Sequence, residues 1–165
     1  MPDATVDRID AAILALFAAE PRVGVLEASR RLAIARGTVQ ARLDKLQARG
    51  VVAGWGPEID TTALGYPVTA FVTLELTQVG HDVVSARLAQ IPEVIEVHTI
   101  TGGGDLLARV VARSNADLQR VIDQVVAGGG ISRSSTAVAL STQVPHRVLP
   151  LVQAEADSLD RAAGA

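Results

Sequence analysis

The sequence predicts an α+β chain in two parts: an N-terminal winged helix-turn-helix, then a ferredoxin-like βαββαβ domain. Three observations carry that expectation. Apolar residues recur at helical spacing through residues 1–50, the texture changes to β-branched alternation from Val68, and charge is divided unevenly between the two parts. Residues 1–50 hold eight Arg/Lys against six Asp/Glu, whereas the remainder holds seven against twelve. Within residues 22–49 the balance is seven basic to two acidic, in a chain of net charge −3. Such asymmetry suggests one part built for a polyanion and another for a different task.

The elements follow in order. "TVDRIDAAILALFAAEP" places Val6, Ile9, Ile13, Leu14, Leu16 and Phe17 at helical spacing, with Thr5 or Asp7 as cap and Pro21 as stop. A second helix is expected around Leu26 to Leu32, with Ala28 and Leu32 inward and Arg30 and Arg31 outward. After a short break at residues 33–35, a third runs from about Gly37 to Ala48, burying Val39, Leu43 and Leu46 and stopping at Gly50. Three short helices with a tight turn between the last two make a helix-turn-helix. "VVAGWGPEID" reads as a short wing strand, a turn and an exit, with Trp55 packing the wing against the helices. Beyond it, "VTAFVTLEL", "VIEVHTIT", "DLLARVVA" and "ISRSSTAVALSTQV" read as strands, and "HDVVSARLAQI" and "SNADLQRVIDQVVA" as helices, the latter capped by Ser114. The expected domains are therefore 1–52 for the head, 53–67 for wing and linker, and 68–152 for the ferredoxin-like part. The Ala- and acid-rich residues 153–165 read as a frayed helix or a disordered tail.

With 165 residues, 48% of them hydrophobic, the chain is long enough for one large or two small cores. It has no cysteine, so disulfides and thiolate metal sites are excluded. No apolar run reaches the roughly 18 residues of a membrane span, and "MPDATVDRID" is no signal peptide; a cytoplasmic protein is expected. Four aromatic residues (Phe17, Trp55, Tyr66, Phe71) are too few for stacking along single-stranded nucleic acid. His81, His98 and His146 lack metal-ligand spacing, and His98 reads as an ordinary strand residue. "TGGGD" lacks the Lys and glycine spacing of a nucleotide site. No metal and no cofactor is expected.

The third helix carries the sharpest chemistry. With Val39, Leu43 and Leu46 inward, Thr38, Ala41, Arg42, Lys45 and Ala48 lie on or near the other side. Small residues flanked by cations suit a major groove, because the backbone approaches closely and Arg and Lys reach phosphates and base edges. Arg36 and Gly37 place a guanidinium and backbone N–H groups where a phosphate could sit. A solvated helix face is the alternative that a few exposed arginines alone would not exclude.

Here the sequence resembles a known family. D-x-x-D at Asp7 to Asp10, T-V-x-x-R-L-x-x-L from Thr38 to Leu46, the following G-V-V-x-G-W, and later "ALGYPVTAFVTLEL" and "GGGDLL" are similar to Lrp/AsnC (feast/famine) regulators over about residues 5–152. The resemblance implies a transcriptional regulator that binds double-stranded DNA and is not an enzyme. It further implies a RAM-type effector and assembly domain, and a homodimer that often builds tetramers or octamers. Carried over, Arg36, Thr38, Gln40, Arg42 and Lys45 take DNA-contact roles, with Arg30 and Arg31 as auxiliary phosphate contacts. Ala35 stands where the family has its Ser cap.

"TGGGDLLARV" alone reads as a tight hairpin. In the family the corresponding turn lines a pocket between subunits that binds amino acids. By that resemblance Thr101, Gly102, Gly104 and Asp105 are effector candidates, with Ser134 and Thr136 on the final strand as secondary ones, and backbone N–H groups would hold a carboxylate. Gly103 stands where the family has its first acid. Two other functions fit this architecture: a haem-pathway decarboxylase, and an architectural DNA protein without effector.

Overall fold

A computed structural model of the chain describes residues 6–77 and 81–163. The element order is α1 (Arg8–Ala19), α2 (Val25–Leu32), α3 (Arg36–Ala48), β1 (Val68–Leu76), α4 (His81–Leu88), β2 (Val94–Thr99), β3 (Leu106–Ala112), α5 (Asn115–Ala127), β4 (Ile131–Ala139) and α6 (Leu149–Ala163). They form two compact units, Met1–Glu58 with Val144–Ala165, and Ile59–Gln143.

In the first unit α1 begins with a capping box. Asp7 accepts from the Asp10 N–H at 2.8 Å, and Asp10 accepts in return from the Asp7 N–H at 3.4 Å. Thr5, the alternative cap, lies outside the described residues. Ala33 adopts φ 53°, and this left-handed residue turns α2 into α3 within three residues. Gly50, at φ 73°, follows α3 as expected. Ile13, Ala28, Val39 and Leu43 form one buried cluster, with Leu16, Phe17, Val25, Leu32 and Ile34 packed around it.

Two expectations for this unit are corrected. Residues 51–60 contain no strand. The N–H groups of Val51 and Val52 bond to Leu46 O at 2.9 and 3.2 Å, folding the segment back onto the end of α3. Trp55 does meet the helices, edge-on to Phe17 at 5.4 Å between centroids and donating from Nε1 to Gln47 at 3.3 Å. The expected frayed or disordered tail is a helix of the head. Ala156 of α6 is buried with Val6, Ala11 and Leu46, Val152 packs beside them, and Asp160 pairs with Arg8. Alanine-rich composition favours the helix, and its stripe of Val152, Ala156 and Leu159 is too small to announce a buried face.

The second unit is a four-stranded antiparallel sheet in the order β2-β3-β1-β4. Each element of the expected βαββαβ order is present, although the last strand ends at Ala139. Alternation decides the faces. Ala70, Val72, Leu74, Leu106, Ala108 and Val110 point to a core completed by Val84 and Leu88 of α4 and Leu118, Val121 and Val125 of α5. Ser114 caps α5, accepting from the Asp117 N–H at 3.1 Å. The opposite sheet face has no second layer in this unit, and Phe71 at its centre is 41% exposed.

Candidate nucleic-acid interface and glycine turn

The head's cationic surface follows from how α3 is held. Val39 and Leu46 are essentially inaccessible and Leu43 nearly so, which fixes the helix phase and leaves Arg36, Gly37, Thr38, Gln40, Ala41 and Lys45 exposed. Asp7, Asp10, Gly37, Thr38, Ala41, Arg42 and Lys45 line one concavity on this side. Ala35 gives α3 no side-chain cap, so the orphan N–H groups of its first turn face solvent beside Arg36.

The seven candidate contacts separate into three groups. Arg36, Thr38 and Lys45 have no side-chain partner among the described residues. Gln40 and the two arginines of α2 have surface partners: Gln40 donates to Asp44 at 2.8 Å, Arg30 lies 3.8 Å from Glu27, and Arg31 bonds to Glu20 and, at 3.0 Å, to Glu27. Exposed pairs of this kind contribute little and exchange readily for another anion.

Arg42, also expected to contact DNA, behaves differently: its guanidinium is paired within the head. Its Nη1 donates to Asp7 Oδ2 at 2.5 Å and to Asp10 Oδ1 at 2.8 Å. The side chain is 27% exposed, and Asp10 is the buried acid at the start of α1. Burial pushes the Asp7 carboxyl up, but hydrogen bonds from Arg42 and the Asp10 N–H, with the Arg42 charge, hold it below its usual value. The same contacts with Asp7 and Asp10 raise Arg42. Helical phase put Arg42 on this side but not its pairing; the signal for that was the D-x-x-D pair, whose charges need a partner when half-buried.

The glycine turn joins β2 to β3 at the end of β1. Thr101, Gly102 and Gly103 are exposed, Gly102 has φ 110°, and among the described residues the N–H groups of 101–104 donate to no acceptor. Gly104 touches β1: a Cβ there would stand 2.5 Å from Thr73 Cγ2 and 3.2 Å from Leu74 O. Asp105 is partly a structural residue. Its N–H donates to Leu74 O at 2.9 Å, and its Oδ2 accepts from the Leu76 N–H at 2.6 Å, where β1 breaks register with β4. Ser134 and Thr136 lie on β4 opposite Leu74 and Val72, so β1 stands between them and the turn. The exposed His98 contacts Glu96 at 2.8 Å, and no group of three potential ligands that could hold a metal occurs among the described residues.

Comparison with known proteins agrees with both halves. Residues 6–53 match a winged helix-turn-helix DNA-binding domain, and residues 69–149 match the Lrp/AsnC ligand binding domain. An uncharacterised HTH-type transcriptional regulator of Pyrococcus abyssi is 30% identical over 139 residues, covering 84% of this chain and 88% of its own. The structure of E. coli AsnC has a TM-score of 0.80 at 24% identity, over 88% of this chain and 99% of that one, which establishes the shared fold. The feast or famine regulatory protein of Mycobacterium tuberculosis, complexed with L-methionine, has a TM-score of 0.76 at 27% identity, over 87% and 97%. This chain, with its helix-turn-helix head and ligand-binding domain, belongs to the Lrp/AsnC family of DNA-binding transcriptional regulators.

Proposed function

We propose that the head reads duplex DNA through Arg36, Thr38, Gln40 and Lys45, with Arg30 and Arg31 as auxiliary phosphate contacts. The observation that carries this reading is the α3 surface, where two cations without side-chain partners among the described residues flank the small residues Gly37, Thr38 and Ala41. A helix lined this way enters a major groove while its uncapped first turn approaches a phosphate. Replacing Arg36 or Lys45 by Ala should lower the slope of log affinity against log salt by about 0.9 per lost phosphate contact. Fluorescence anisotropy on duplex DNA flanking its own gene checks this. Unchanged slopes for both variants would remove those residues from the interface.

The second domain, in this reading, binds an amino acid or a closely related metabolite at the turn of Thr101, Gly102, Gly104 and Asp105, with Ser134 and Thr136 as outlying candidates across β1. Its support is the unpartnered N–H groups of residues 101–104, which suit a carboxylate, and the L-methionine complex of the M. tuberculosis relative. Asp105 spends one oxygen on Leu76, leaving the other for an ammonium group. The uncovered sheet face around Phe71 and Leu107 supports a homodimer, with higher assemblies built from it, and an effector acts by binding the assembly states unequally. A thermal-shift panel of amino acids tests the sensing role; a panel without any shift would favour an architectural protein. The relatives' names favour a regulator over a decarboxylase, and a porphyrin titration without spectral change would agree.

A further inference from the structure

The pair of acids at the start of α1 uses its oxygens in an orderly way. Asp7 gives Oδ1 to the Asp10 N–H and Oδ2 to Arg42; Asp10 gives Oδ2 to the Asp7 N–H and Oδ1 to Arg42. Each carboxylate therefore closes the cap of α1 with one oxygen and holds α3 with the other. All four oxygens are engaged, and a single guanidinium nitrogen joins the two helices.

We propose that Arg42 is the positioning residue of DNA reading: it locks α3 onto the capped end of α1, so that Arg36, Thr38 and Lys45 are presented at one fixed angle. This rests on the reading of α3 as the DNA-contacting helix. Three features of α3 make such a lock necessary. Its N-cap is Ala35 without a side-chain bond, its first turn contains Gly37, and its inward face supplies only Val39, Leu43 and Leu46. Apolar contacts of that kind permit sliding and rotation, whereas two charge-assisted hydrogen bonds converging on one nitrogen fix a direction. Misplacement of reading groups by about 1 Å is costly wherever several contacts must form together.

The alternative is that Arg42 leaves the acids and binds a phosphate when DNA arrives. The two differ in salt dependence, because only a phosphate contact changes the number of counterions released. Duplex affinity is therefore measured against salt for the wild type, Arg42→Ala, Arg42→Lys, and the Asp7→Asn/Asp10→Asn pair, at a temperature where circular dichroism shows each fully folded. A positioning role predicts that Arg42→Ala loses roughly tenfold or more in affinity with an unchanged salt slope. The Asn pair should show the same loss, the triple variant no further loss, and Arg42→Lys partial recovery. A slope reduced by about one in Arg42→Ala, with tighter binding by the Asn pair, would overturn the proposal. So would unchanged affinity in Arg42→Ala. If Arg42→Ala does not fold, the Asn pair and Arg42→Lys carry the same comparison. Absence of any wild-type duplex binding would instead sink the reading of the head itself.

Discussion

At the scale of single residues, adjacent glycines of the 101–105 turn have opposite tolerances. Gly104 lies so close to Thr73 and Leu74 that Gly104→Ala forces β1 and the turn apart, an overpacking cost of about 1–3 kcal/mol. Gly103 has nothing within 4 Å of a built Cβ, and Gly103→Ala should stay within about 0.5 kcal/mol. Urea denaturation of both variants checks the contrast. Asp7 supplies a pH prediction. Its carboxyl is lowered in the folded state, so its stabilisation is complete above the unfolded value of about 3.9 and is lost as pH falls through the still lower folded value. The Tm gap between wild type and Asp7→Asn should thus be constant from pH 8 to pH 5 and close below about pH 4. A gap that varied across neutral pH would assign the effect to another group.

At the scale of elements, legibility tracked the size of the apolar stripe. Val39, Leu43 and Leu46 announced α3, and the alternation of Val72 and Leu74 announced the faces of β1, because large side chains leave a periodic record. The wing strand was misread because "VVAG" has strand composition but no partner strand among the described residues, and the N–H groups of Val51 and Val52 are taken by Leu46. The pairing of Arg42 went unread because its partners stand 32 and 35 residues away, beyond any local pattern. The glycine turn was found, but not the use of Asp105 to tie Leu76. A frayed helix was one reading of the C-terminal residues, but the packing of α6 into the head was missed since alanine buries little area per residue. That helix yields its own test: Ala156 is 2% exposed, so Ala156→Asp places an unpaired charge against Val6, Ala11 and Leu46. A loss of about 2–4 kcal/mol is expected, seen as a lower first transition in calorimetry. An unshifted transition would show that α6 does not support the head.

At the scale of the whole molecule, the uncovered sheet face sets the assembly prediction. Phe71 lies on the central strand β1, opposite Arg109 on β3 and Ala137 on β4. An exposed aromatic on a central strand, with the Arg109–Glu96 and Arg133–Glu75 pairs on the same sheet, suits self-association. Phe71→Glu should convert the assembly to monomers in light scattering, and weaken binding to paired half-sites about 10²-fold or more while sparing a single half-site. Unaltered mass for this variant would place the subunit contact elsewhere.

The Arg8–Asp160 pair joins the first helix of the head to the last, with the whole sheet lying between them in sequence. Three helices of the head leave the ribosome ahead of the sheet, yet their fourth wall arrives only after that sheet has been translated. Until then Val6, Ala11, Leu14 and Leu46 have no cover from Ala156 and Val152. A nascent polypeptide halted ahead of Leu149 should therefore be cut by protease within α1 and held by chaperones, so that the head matures only after the sheet that follows it has been made.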